Sequence, residues 1–226
     1  MQIGGLQKLT LLDFPGQVAC TVFLQGCNFR CPFCHNPSLV LGTEAITRES
    51  VLAFLKQRQG LLDGVAITGG EPLLSAGLEY LLREIRSLGY KIKLDTNGSF
   101  PRRLEQLISD GLVDYVAMDI KNAPEKYDHT AGAAGFLPAV RESAALLMDG
   151  KISYEFRTTV VDELHEPEDF HAIGQWLSGA QQYFLQCFAD SGEILQPGLH
   201  APSKEKLEKC LAIAGQYIPN THIRGV

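Results

Sequence analysis

With 226 residues, 45% of them hydrophobic and 20% charged, the chain can bury one good core, and no linker, charge run or low-complexity break divides it. One domain over residues 1–226 is therefore expected. A net charge of −6 argues against a nucleic-acid or anionic-membrane surface, and no apolar stretch has spanning length. The absence of a secretory segment, together with thiols concentrated in one loop, points to a reducing, cytoplasmic setting.

Short β-rich apolar runs alternate with helical stripes, the pattern of a parallel sheet covered by helices. Strands are predicted at 18 to 25, 64 to 68, 90 to 95, 113 to 119, 152 to 161 and 182 to 188. Between them lie the stripes Leu78, Leu81, Leu82, Ile85 and Leu104, Leu107, Ile108, with Gly89 and Gly111 as C-terminal stops. Pro138 and Pro167 suit the first turns of two later helices, and Ser203 suits the N-cap of the last.

Polar residues cluster where strands end. The run C-N-F-R-C-P-F-C-H-N-P, with Cys27, Cys31 and Cys34, follows the first predicted strand. Gly69, Gly70 and Glu71 follow V-A-I-T; Asp95, Thr96, Asn97 and Gly98 follow K-I-K-L; Asp119 and Lys121 follow Y-V-A-M. In a parallel barrel those ends share one mouth. No G-x-G-x-x-G opens a helix after any strand, so the dinucleotide fold lacks its phosphate loop.

Three soft ligands on one tight loop can hold an iron–sulfur cluster and leave one iron open, whereas an electron carrier normally closes its cluster with four cysteines. Zinc on the same cysteines plus His35 fits less well, because adjacent Cys34 and His35 aim poorly at one tetrahedral ion. Disulfides are disfavoured by the crowding. Cys20, Cys187 and Cys210 sit among apolar residues and read as small buried hydrophobes.

C-x3-C-x2-C with Phe33 before the last cysteine resembles the radical S-adenosylmethionine superfamily, and the following His35, Asn36 and Pro37 resemble the activating enzymes of glycyl-radical enzymes. That resemblance implies an α/β fold, a partial (β/α)6 TIM-like barrel with a parallel sheet and helices outside, as a single radical SAM domain. It implies a 4Fe–4S cluster on Cys27, Cys31 and Cys34, S-adenosylmethionine as cofactor, and a cofactor site that includes Phe33. Its activity would be reductive cleavage of S-adenosylmethionine to a 5'-deoxyadenosyl radical that takes a hydrogen from a glycine of a partner enzyme. With no second cluster, the electron would come from flavodoxin or ferredoxin.

Residue by residue, G-G-E at Gly69, Gly70 and Glu71 is similar to the family's grip on the methionine amine; by itself it is also a turn. D-T-N-G places Asp95, Thr96 and Asn97 near the cofactor carboxylate and ribose, and Asp95, Thr96 and Met118 match a monovalent-cation site of relatives. Asp119 and Lys121 resemble a D-x-K motif in which the lysine contacts the cofactor or the glycine-bearing loop; a strand-end salt bridge is the competing reading. Arg157 falls where relatives place an arginine near the cofactor, yet Glu155 shares its strand face and a buried pair is an equal contender. Asp13, in L-D-F-P-G, resembles a residue near the docked target peptide and is equally a turn residue. The sixth predicted strand carries Gln186 and Phe188 where several pyruvate formate-lyase activases have histidine. This departure, with D-I-K-N-A-P-E-K-Y, makes the chain most similar to activating proteins of anaerobic ribonucleoside-triphosphate reductase. An activase of another glycyl-radical enzyme such as pyruvate formate-lyase, a radical SAM enzyme acting on a small pterin-like molecule and a non-enzymatic metal carrier are the rival readings.

Overall fold

The computed structural model describes residues 1–41, 45–190 and 192–225. Among them eight strands form one sheet in chain order: β1 (Ile3–Thr10), β2 (Ala19–Leu24), β3 (Gly64–Gly69), β4 (Lys91–Thr96), β5 (Tyr115–Asp119), β6 (Ser153–Val160), β7 (Tyr183–Cys187) and β8 (Thr221–Arg224). β1 is antiparallel to β2 and every later pairing is parallel. β1 and β8 are its edges, so the sheet is an open barrel. All six predicted strands are present within two residues. The two additional ones are edge strands that carry weak signals: β1 begins I-G-G, and β8 is the four-residue T-H-I-R.

The helices are α1 (Pro37–Leu41), α2 (Arg48–Gln57), α3 (Leu78–Ser87), α4 (Pro101–Ser109), α5 (Tyr127–Ala131), α6 (Leu137–Met148), α7 (Asp169–Trp176) and α8 (Lys204–Ala214). Helix α3 buries Leu78, Leu81, Leu82 and Ile85 as its 3.6-residue stripe requires, and α4 buries Leu104 and Leu107 with Ile108 half-buried. Gly89 and Gly111 follow these helices at φ of 89° and 65°, the left-handed turn that glycine adopts without a Cβ penalty. Ser203 caps α8 by accepting from the Lys206 amide, and Pro138 lies in the first turn of α6. Pro167 does not: it precedes Glu168, the N-cap of α7, and belongs to the turn before the helix.

The two faces of the sheet differ chemically. Ile92, Leu94, Val116, Met118, Phe156 and Leu185 are fully buried on the helix-covered side. The alternate positions form in-register rows on the concave side, Asp95 beside Ala117 and Glu155, Asp119 beside Arg157, and Thr159 beside Gln186 and Arg224. The polar lining is thus a direct result of strand alternation. Cys20 and Cys210 are buried as expected, whereas Cys187 is half-buried at the end of β7.

Candidate active site

The cysteine loop leaves β2 through Gly26 and is fixed from three sides. The Glu71 amide donates to Gly26 O (2.8 Å), the Arg30 amide to Ala131 O (3.0 Å) and the Gln196 amide to Pro32 O (3.0 Å). Arg30 Nη1 donates to the Cys27 and Phe29 carbonyls at 2.6 and 2.8 Å. A Cβ on Gly70 would lie 2.0 Å from Gly26 O; glycine is what lets the ends of β2 and β3 touch.

Cys27, Cys31 and Cys34 line one cavity of about 280 Å³, with Gly69, Gly70, Asp95, Asn97, Asp119, Lys121, Arg157 and Gln186 around it. No other cysteine among the described residues lines it. Burial pushes the Cys31 thiol up to about 11 and also raises Cys27, so a metal must displace their protons. No three His, Cys, Asp or Glu side chains among the described residues converge as a single metal ion needs, and the His35 ring stacks on Phe188 at 5.3 Å. A cubane instead takes its cysteines on separate irons, and the Cys27 sulfur already accepts from the Phe29 amide at 3.4 Å, as a thiolate requires. The donor set fits a three-cysteine cluster.

Below the thiols runs a chain of alternating charges. Arg157 donates to Asp119 Oδ1 (3.0 Å) and Asp95 Oδ2 (3.2 Å), Lys121 Nζ to Asp119 Oδ2 (3.1 Å), and Lys93 to Asp95. Burial would raise Asp119, but Arg157 and Lys121 outweigh it and hold the carboxyl down at about 2; Asp95 is lowered likewise by Arg157 and Lys93. Burial opposes the charge on Lys121, and Asp119 and Cys31 more than offset it, so it stays cationic. Lys121 Nζ also lies 5.9 Å from the centre of the buried Phe33 ring.

Several expectations change here. Arg157 does not pair with Glu155; Glu155 is held by Arg224 of β8 at 2.8 and 3.0 Å. Asp95, Thr96 and Met118 do not form an open cation cradle, because Asp95 is neutralised by Lys93 and Arg157 while Thr96 Oγ1 donates to Glu71 at 2.8 Å. Asp13 is not at the mouth. It lies in the β1–β2 turn at the amino end of β2, accepting from Thr21 Oγ1 at 2.6 Å, the length of a strand from the cysteine loop.

Glu71 is fully buried and does not offer a free carboxylate to a ligand. Its oxygens accept from the Leu73 amide (3.0 Å), Thr96 Oγ1 (2.8 Å) and the Asn97 amide (2.6 Å). It thereby locks the end of β4 onto the end of β3, while burial pushes it up to about 7 despite those donors. Glu71→Gln would turn one amide hydrogen pair against a backbone N–H; we expect a loss of about 1–3 kcal/mol in stability, read by denaturant unfolding of the metal-free protein.

Sequence reasoning missed Lys93 and His165. Lys93 has 2% relative accessibility, and its signal was a lysine two residues before Asp95, on the same face of the strand. His165 is buried, receives the Val161 amide on Nδ1 (3.2 Å) and directs Nε2 to Lys121 O (2.9 Å), which fixes the backbone beneath Lys121. Nothing local in H-E-P marks that role.

This fold and site define an open-barrel enzyme whose carboxyl-end mouth combines a three-cysteine loop with a charged cavity. Residues 21–168 match the family model of the Radical SAM superfamily. The chain is 30% identical, over 99% of its length and 96% of the other, to a Methanocaldococcus jannaschii protein named as a candidate glycyl-radical enzyme activating enzyme. It is 25% identical over 96% of both chains to the pyruvate formate-lyase 1-activating enzyme of Escherichia coli K12. Among solved structures, SuiB of Streptococcus suis bound to S-adenosylmethionine superposes with a TM-score of 0.69 at 13% identity, over 89% of this chain and 49% of that one, a likeness of fold. The chain belongs to the radical SAM superfamily, enzymes that use a 4Fe–4S cluster and S-adenosylmethionine, and is a homologue of the glycyl-radical-enzyme activating enzymes.

Proposed function

We propose that this protein is an activase that cleaves S-adenosylmethionine reductively at a 4Fe–4S cluster on Cys27, Cys31 and Cys34 and generates a glycyl radical on a partner enzyme. The observation that carries the proposal is the meeting of three thiols in one cavity with no further cysteine among the described residues, at the mouth of a barrel whose homology to an activating-enzyme relative spans 99% of the chain. The cluster, when bound, supplies one electron and an open iron for the amino-acid end of S-adenosylmethionine.

The chain's own residues do the rest. Gly69 and Gly70 bring bare backbone to the cavity wall. Asp95, Asp119, Arg157 and Lys121, already mutually oriented by ion pairs, present fixed charges to the polar parts of the cofactor without reorganising. Phe33 and Phe29 limit water near the thiols. Asp13, at the far end of the barrel, serves the β1–β2 turn in this scheme.

The partner proposed is anaerobic ribonucleoside-triphosphate reductase. Gln186 lines the cavity at the strand where several formate-lyase activators carry histidine, and this supports the reductase over that alternative. Flavodoxin or ferredoxin in the cytoplasm is the proposed electron source. The test is anaerobic reconstitution with iron and sulfide, reduction by dithionite, and assay for 5'-deoxyadenosine with and without the reductase. 5'-Deoxyadenosine plus a glycyl radical EPR signal is the expected result. Cleavage with no protein radical would replace the partner with a small molecule, and no cleavage would remove the activity.

A further inference from the structure

The three thiols are not equivalent. Cys31 Sγ faces the Ala131 carbonyl at 3.6 Å, an acceptor, whereas Cys27 Sγ faces two donors, the Phe29 amide at 3.4 Å and Asn97 Nδ2 at 4.0 Å. The orientation of the Asn97 amide is fixed independently of the sulfur. Its Oδ1 accepts from the Ser99 amide (2.9 Å) and Ser99 Oγ (2.5 Å), and its Nδ2 donates to Asn28 Oδ1 (3.0 Å). Asn28 Nδ2 in turn donates to Ser99 Oγ at 2.9 Å, closing a ring of three side chains. Flipping the amide would set its NH2 against the Ser99 amide and its oxygen against Asn28 Oδ1, so only one orientation satisfies the ring. The Asn97 backbone is pinned as well, through Glu71. One Nδ2 hydrogen remains, and it has Cys27 in front of it.

We infer that Asn97 is a positioning residue that donates a hydrogen bond to the Cys27 thiolate and thereby raises the reduction potential of the cluster. The inference rests on the cluster reading of the cysteine loop. Reduction adds one electron, taken from the external reductant, and no proton, so the added negative charge spreads over iron, sulfide and thiolate sulfur. An N–H aimed at that sulfur in a buried site stabilises the reduced form more than the oxidised one. Asn97 and Ser99 are both buried, so water does not replace the donor. Each polar member of the D-T-N-G run then has its own role, with Asp95 entering the charged chain, Thr96 serving Glu71 and Asn97 serving the sulfur.

The test is an EPR-monitored redox titration of the full-length reconstituted protein, comparing wild type with Asn97→Ala and Ser99→Ala. Asn97→Ala is expected to lower the ratio of reduced to oxidised cluster at a fixed potential about tenfold, a midpoint about 59 mV more negative for a one-electron couple. Ser99→Ala keeps the Nδ2 donor and the backbone amide that orients Oδ1, and is expected to shift the midpoint much less than Asn97→Ala. A wild-type midpoint in Asn97→Ala overturns the inference, as does an equal shift in both variants, which would mark general loosening of the loop. Should Asn97→Ala not load a cluster, pulsed EPR of the reduced wild type carrying side-chain 15N-asparagine decides: a coupled amide nitrogen is expected, and none overturns the assignment. A wild type that takes up iron and sulfide but gives these contrary results loses the Asn97 role alone; one that takes up neither loses the cluster reading and this inference with it.

Discussion

Replacing Cys31 with alanine is expected to abolish cluster absorbance and S-adenosylmethionine cleavage together. Cys31 has 8% relative accessibility and packs in the same buried cluster as Phe29 and Phe33. Its removal deletes one sulfur from a small side chain, so the metal-free fold should persist. Two thiols remain in the cavity, and no other cysteine among the described residues lines it. A 4Fe–4S cluster held by two protein ligands loses iron readily. The measurements are bound iron and sulfide, visible absorbance and 5'-deoxyadenosine, with circular dichroism confirming the fold. A variant that keeps both cluster and cleavage would remove Cys31 from the ligand set. The same substitution at Cys20, buried in β2 away from the cavity, is expected to leave iron uptake intact.

The site can be read from the chain to the extent that its chemistry lies in contiguous runs. C-N-F-R-C-P-F-C and the strand-end clusters G-G-E, D-T-N-G and D-I-K are local, and parallel topology turns strand ends into one mouth; their convergence follows from the order of elements. What is not legible depends on partners far apart in sequence. Whether Arg157 meets Glu155 or Asp119 is decided by the β5–β6 register and by Arg224, which arrives from a strand too short and polar to be seen. Glu71 looks like a ligand in a G-G-E run, and only the packing of Thr96 and Asn97 over it reveals that its oxygens are already engaged. Asp13 is misleading for a similar reason: without β1 in view, nothing tells that its turn lies at the amino end of the barrel.

Arg157→Ala is expected to produce the largest loss of stability of any single change in the charged chain. Among the described residues Arg157 is the one side chain bound to both Asp95 and Asp119, and it is 13% exposed. Its removal leaves two carboxylates facing each other on neighbouring strands, with Lys93 and Lys121 each retaining one. Breaking a buried ion pair costs about 3–5 kcal/mol, and the surviving lysines place the expected loss near the lower end. In a chain of this size, each kcal/mol corresponds to roughly 2–4 °C in Tm, giving a fall on the order of 10 °C. Arg157→Lys should lie between, because a single ammonium cannot span two carboxylates as a planar fork does.

The pH dependence separates this account from simple loss of packing. In the wild type, Asp119 titrates at about 2 and Asp95 below its ordinary value, so their contribution is fully present above about pH 4, where unfolded Asp is ionised, and disappears as pH falls through the folded values. The gap between wild type and Arg157→Ala should therefore be wide at pH 7 and narrow steadily below about pH 4. A gap of constant size across that range would mean that the guanidinium acts by filling space, and the ion-pair chain would no longer explain how the barrel mouth is held.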